Sequence, residues 1–175
     1  MSGEISLAPT EEMLQSAYRT HYSALRKKQI VFYLVFGGLV GLVLAAVDGF
    51  SSASHALKLI LAMLLWALVV LVVIILLTRY WWLPRFTRRV FQQQSDLRHP
   101  FIVRWNDDAY ETEIPSGKIT TPWSDFYQWR RGKDILLLYR SEALFNFFPT
   151  TGEGMAEIAD AIQGHLIVAG VKEKT

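Results

Sequence analysis

No cysteine occurs among the 175 residues. That excludes disulfides, thiolate nucleophiles and cysteine-based zinc sites, and it suits a reducing compartment. Histidine is sparse as well. His21, His55, His99 and His165 stand in separate segments, and no two have the i,i+4 spacing of a helical metal site. Asp107, Asp108, Glu111 and Glu113 lack any EF-hand-like order, so they read as an acidic turn leading into a solvated strand face. No nucleophile–base pair and no phosphate loop is visible, so neither an enzyme nor a bound cofactor is expected. The most informative lack is one of charge. Ile30–Val47 and Leu59–Thr78, 18 and 20 residues long, contain no Asp, Glu, Lys or Arg.

What is present in those two runs is apolar length. At a rise of ~1.5 Å per residue they cover roughly 27 and 30 Å as helices, the hydrocarbon thickness of a bilayer. They predict a two-helix transmembrane hairpin with spans 30–47 and 59–78 and a short loop, 48–58. The absence of ionisable groups inside the spans argues against a proton relay or ion pathway. Arg19, Arg26, Lys27 and Lys28 precede the hairpin and Arg79, Arg85, Arg88 and Arg89 come after it, whereas the loop offers Lys58 alone. The positive-inside rule then puts both termini in the cytoplasm. The first 29 residues are too polar for a cleavable signal peptide.

The flanks read as a small folded domain. Ile5-Ser6-Leu7 has strand character, and Thr10 before Glu11-Glu12 reads as the N-cap of a helix that runs on into the first span. Residues 1–29 are thus a cytoplasmic strand and helix, and 79–98 a basic, aromatic juxtamembrane linker. Residues 99–175 are a β-rich domain. Phe101–Trp105, Tyr110–Ile114, Lys118–Thr121, Phe126–Arg130, Ile135–Arg140 and Leu144–Phe148 are short runs separated by turn residues, which predicts an antiparallel meander. Met155, Ile158, Ala159, Ile162 and Leu166 share one face of a closing amphipathic helix. The fold class is therefore a membrane hairpin plus a small α+β domain, and the segment 95–175 is expected to fold alone.

Thr121-Pro122-Trp123-Ser124-Asp125-Phe126, Leu136-Leu137-Leu138-Tyr139 and Phe147-Phe148-Pro149 with the helix after it occur in an order that resembles the YcxB-like proteins of bacteria. The likeness extends to Pro9-Thr10-Glu11-Glu12 and the double span. It implies a pleckstrin-homology-like cytoplasmic domain, a bent antiparallel sheet capped by one helix, at a bacterial inner membrane. It implies no activity. Gly152-Glu153-Gly154 departs from the pattern, where a plain helix start is expected.

Two groups of residues carry functional expectations. Arg26, Lys27, Lys28, Tyr80, Trp81, Trp82, Arg85, Arg88 and Arg89 form the membrane-interface set, serving either as anchors or as a lipid-headgroup site. Gly37 and Gly41, at i,i+4, let a helix approach closely, either the second span or another copy. Residues 95–175 carry nine Lys/Arg against twelve Asp/Glu, so nucleic acid is not an expected partner despite the many aromatic rings. Trp105, Trp123, Trp129, Tyr110, Phe126 and their neighbours read as sheet core. Two hypotheses remain. The first is a non-enzymatic membrane protein, in contact with lipid, whose cytoplasmic domain binds a protein partner or another copy. The second is an accessory subunit of a transport or envelope complex that binds through the hairpin itself.

Overall fold

A computed structural model describes residues 2–47 and 53–174, the side chains of 24–28 excepted. Its contacts divide the chain into two compact units, Met1–Tyr22 with Leu83–Thr175, and Ser23–Trp82. The division cuts across the segments read from sequence. The residues on either side of the apolar helices fold together as one body.

In that first unit, strand β1 (Gly3–Leu7) leads into helix α1 (Glu11–Val47). Thr10 caps the helix, its Oγ1 accepting the Met13 N–H at 3.1 Å, and Glu11 and Glu12 complement the positive first turn. After the second apolar helix come α3 (Leu83–Gln93) and a 3-10 turn, Ser95–Arg98. Six strands come next: β2 (Phe101–Trp105), β3 (Ala109–Ile114), β4 (Gly117–Pro122), β5 (Gln128–Arg131), β6 (Ile135–Tyr139) and β7 (Phe145–Pro149). Helix α4 (Met155–Val168) closes the unit. Two sheets result, β1-β2-β3-β4 and β5-β6-β7, with antiparallel neighbours throughout. The expected single meander is thus divided. Pro122, with no N–H to donate, ends β4, and the 3-10 turn Trp123–Asp125 carries the chain to the second sheet. Phe126 lies before the start of β5 and is buried as a core ring instead of a strand residue.

The main core lies between the sheets and α4. Val103, Tyr110, Trp123, Phe126, Trp129, Leu136, Leu138 and Phe148 meet Ala159, Ile162 and Leu166 there, so the aromatic run is core as expected. Met155 and Ile158 pack against the same cluster. The helix begins at Met155 because Gly154, at φ +71°, reverses the chain in a conformation that a Cβ disfavours. The run Ile135–Tyr139 is fully buried along its whole length, which means that β6 is covered on both faces. Leu136 and Leu138 face the main core, while Ile135, Leu137 and Tyr139 face a second cluster with Ala17 and Met13 of α1. The N-terminal part of α1 is therefore the lid on the outer face of the three-stranded sheet.

β1 pairs with β2 over five residues, from Gly3 opposite Trp105 to Leu7 opposite Phe101. The expectation that 95–175 folds alone omits both this strand and that lid.

The second unit is an apolar helix pair. Both Gln29–Val47 of α1 and the helix that starts at Ala53 are long and apolar enough to cross a membrane. Helix α2 (Ala53–Leu76) begins well before Leu59, so only 48–52 of the anticipated loop stay outside the described residues. After α2 the backbone does not break. A π-helical turn, Leu77–Trp82, connects it to α3, and the anticipated linker is mostly helix. Pro84 lacks the N–H that would bond the Tyr80 carbonyl in an α-helix, and the wider turn absorbs that loss.

Candidate interaction site

The sheet register creates an ionic cluster on the outer face of the four-stranded sheet. Arg104 stands opposite Glu4 on β1 and Glu111 on β3, with Glu113 two residues further along. Its guanidinium bonds Glu4 at 2.7 Å, Glu111 at 3.2 Å and Glu113 at 2.5 Å, and Lys118 reaches Glu111 at 2.7 Å. The carboxylates read as a bare solvated face are therefore paired. The Lys118 bond, aided by Arg104, holds the Glu111 carboxyl below its ordinary value. A depressed folded value means stability present above the unfolded value near 4.5 and lost as pH falls through the folded one. Melting curves recorded from pH 7 down to pH 3 should show that loss below ~4.5, and Glu111→Gln should flatten this part of the profile. An unchanged profile in the variant would refute the assignment.

A cleft of about 700 Å³ opens elsewhere in the same unit. Leu14 and Tyr18 of α1 form one wall, and Phe101, Ile114 and Ile119 of the first sheet another. Leu144 and Phe147 line the side toward β7, and Gln93, Gln94, Asp96 and Asn146 supply polar atoms. Tyr110 also borders it, with its hydroxyl pushed upward in pKa by complete burial. The volume suits a small apolar ligand or a few anchoring side chains. Two lining residues are unusually open for their type, Ile119 at 38% and Leu144 at 68%. Ile119 sits on β4, the outer strand of its sheet, where every residue except Thr121 is exposed. An apolar cleft thus lies beside an open strand edge.

Residues 105–166 match the family model described as YcxB-like protein. The YcxB-like match starts at the last residue of β2 and ends within α4, covering less than half of the chain. It includes the Trp123 and Leu136–Tyr139 motifs and leaves out β1, α1 and the apolar helices. No curated protein and no solved structure matches the chain.

The structure distributes the residues singled out from sequence over both units. Tyr80, Trp81 and Trp82 are exposed on the π-helical turn of the second unit, with Arg79 over the Tyr80 ring. Arg85, Arg88 and Arg89 belong to the first unit, where their i,i+3,i+4 spacing makes one exposed basic face of α3. Leu83 and Thr87 are buried on the other face. Arg26, Lys27 and Lys28 lie outside the described side chains. Gly37 and Gly41 face α2. A Cβ at Gly37 would stand 2.7 Å from the Ala67 Cβ, and one at Gly41 2.8 Å from the Ile60 Cα. The cleft has no local sequence pattern because its walls come from α1, the end of α3, a 3-10 turn and the four strands β2, β3, β4 and β7.

Proposed function

We propose that this is a non-enzymatic, membrane-anchored interaction protein. Two helices cross the bilayer, and the YcxB-like unit works on the cytoplasmic side. One observation carries the reading. β1 and β2 are partners in one sheet, although both apolar helices lie between them in sequence. Helices that leave the bilayer must cross it an even number of times for those strands to meet. Two spans satisfy this, and the excess of Arg and Lys on the flanks supports the cytoplasm over the outside. The wide exposure of Phe32, Leu65, Trp66 and their neighbours supports lipid as the solvent of the second unit. The four- and three-stranded antiparallel sheets with α4 support a pleckstrin-homology-like arrangement.

In this reading a partner protein adds an extended segment to the β4 edge and seats apolar side chains between Ile119 and Leu144. Lys118 and Pro122 on that edge discourage indiscriminate pairing. Confinement at the membrane raises the effective concentration of both molecules, so a modest contact suffices. The rival, an accessory subunit contacting its complex through the hairpin, has less room, because α2 already occupies the Gly37–Gly41 face.

The lack of native cysteine makes the topology directly testable. In intact cells a membrane-impermeant maleimide should label Ser54→Cys and spare Ser2→Cys and Ser141→Cys until the membrane is opened. Labelling of Ser141→Cys from outside would overturn the orientation. A photo-crosslinker at position 119 should then capture a protein, and Leu144→Asp should abolish the capture.

A further inference from the structure

The outer face of the three-stranded sheet gathers positive charges that no carboxylate bonds among the described residues. After α4 the chain returns along the edge of β5. The Trp129 N–H bonds the Lys172 carbonyl at 3.1 Å, and the Lys174 N–H bonds the Trp129 carbonyl at 2.8 Å, with Glu173 bridged in parallel to Trp129. This pairing sets Arg130 and Lys174 side by side on the face away from the main core. Like charges on neighbouring strands destabilise a sheet unless something lies between them.

Their surroundings offset them only in part, through the charge of Glu142 near Lys174. The buried Arg130 Nη1 has no hydrogen-bond acceptor among the described residues. The Lys174 ammonium lies 4.0 Å from the centre of the Tyr139 ring and touches the Glu142 backbone carbonyl at 3.4 Å. His21 approaches from α1, its Nδ1 3.1 Å from the Tyr139 hydroxyl. Arg130, Lys174 and His21 each keep part of their surface open, so the group is reachable from solvent.

We propose that Arg130, Lys174 and His21 form a binding site for a phosphate-class oxyanion, either a free phosphate or the headgroup phosphate of a lipid, with the buried Tyr139 hydroxyl holding the His21 ring in place. A guanidinium, an ammonium and an imidazole on three different elements share this face around the Tyr139 side chain, which suits a tetrahedral anion with several acceptor oxygens better than a planar carboxylate. The site is separate from the cleft at Ile119 and does not rest on that assignment.

Protonation is set by the same arrangement. Burial, then Lys174, then Arg130 lower the pKa of His21, and burial pushes Tyr139 up to about 12. Burial and Arg130 lower Lys174, against the opposing charge of Glu142. The Phe145 and Tyr22 rings also pack against His21. A bound anion reverses the field at His21 and favours the imidazolium. Binding should therefore take up a proton and strengthen as pH falls through the His21 titration.

The test uses the full chain in neutral maltoside micelles, with the His21 ring followed by NMR. Inorganic phosphate, with sodium chloride of equal ionic strength as the control, should raise the His21 midpoint by about one pH unit and raise Tm. Arg130→Gln should weaken the response at least about tenfold, and Lys174→Gln by a similar factor, with the NMR spectrum otherwise kept. The same titration with phosphatidic acid in phosphatidylcholine nanodiscs, against phosphatidylcholine alone, separates the sources. A response to phosphate assigns a soluble ligand, and a response to phosphatidic acid alone assigns a lipid headgroup. A His21 midpoint that moves in neither arm, or that moves equally in wild type and Arg130→Gln, overturns the site.

Discussion

Replacing Ser23–Trp82 by a flexible linker of about ten Gly and Ser residues should give a soluble, cooperatively folded domain, whereas 95–174 alone should remain unfolded or aggregate. Such a linker spans roughly 17 Å on average. The ends it must join are close, since the Tyr18 and Phe86 rings lie 5.2 Å apart. The truncated fragment loses two supports at once. Without β1, the β2 edge opens and the cover of Phe101, Val103 and Trp105 by Ile5 and Leu7 is lost. Without α1, Ile135, Leu137 and Tyr139 turn to solvent. Full burial of one large apolar side chain is worth about 1.5–3 kcal/mol. Partly exposing these six removes an amount comparable to the roughly 5–15 kcal/mol that stabilises a whole domain. Far-UV circular dichroism, amide dispersion in NMR and a thermal melt decide the matter. A dispersed spectrum from 95–174 would show that β1 and α1 are dispensable.

The double variant Gly37→Leu, Gly41→Leu should separate the two apolar helices while leaving the sheets intact. Even a single methyl at Gly41 would press on the Ile60 backbone, and one at Gly37 lies 3.2 Å from the Met63 carbonyl as well. Backbone cannot move aside as a side-chain tip can, so the helices must part or shift. Overpacking usually costs about 1–3 kcal/mol per site, and association in lipid rests largely on such close packing. Val40 and Met63 line one small space between the helices, so cysteines at both positions report their proximity. Disulfide formation in that pair should fall by at least about tenfold in the double variant. Tryptophan fluorescence of the folded sheets should stay unchanged. Wild-type crosslinking would mean that the glycines do not hold the helices together.

Much of this fold is written locally in the chain. The apolar runs, the Thr10 cap, the acidic turn at Asp107-Asp108 and the face of α4 each depend on residues within a few positions of one another. What stayed hidden depends on distant partners. Gly3–Leu7 carries strand character in its own residues, but its partner lies beyond both apolar helices. Trp81-Trp82 and Pro84 look like a break, yet the π-helical turn carries the helix through. Arg104 meets Glu111 and Glu113 across the β2–β3 pairing, so their ion pairs do not show in the spacing along either strand. The five consecutive apolar residues of β6 did hold a legible message, that both faces are buried, though not that α1 is the cover. The cleft and the Arg130 group draw on residues from several elements each, and no local pattern could assemble them.

The pairing of β1 with β2 also sets a timetable. Synthesis runs from the N-terminus, so β1 leaves the ribosome first and waits, without its partner, while both apolar helices are made. Closing a loop of that length costs roughly 4 kcal/mol in chain entropy beyond a fixed constant, which the finished sheet must overcome. A chain with only one helix threaded would leave the two strands on opposite sides of the bilayer. Its β2 edge and the outer face of β6 would stay open to proteases and chaperones. In the proposed topology, completion of the sheet then acts as a built-in inspection of membrane insertion, passed only when the second crossing has been made.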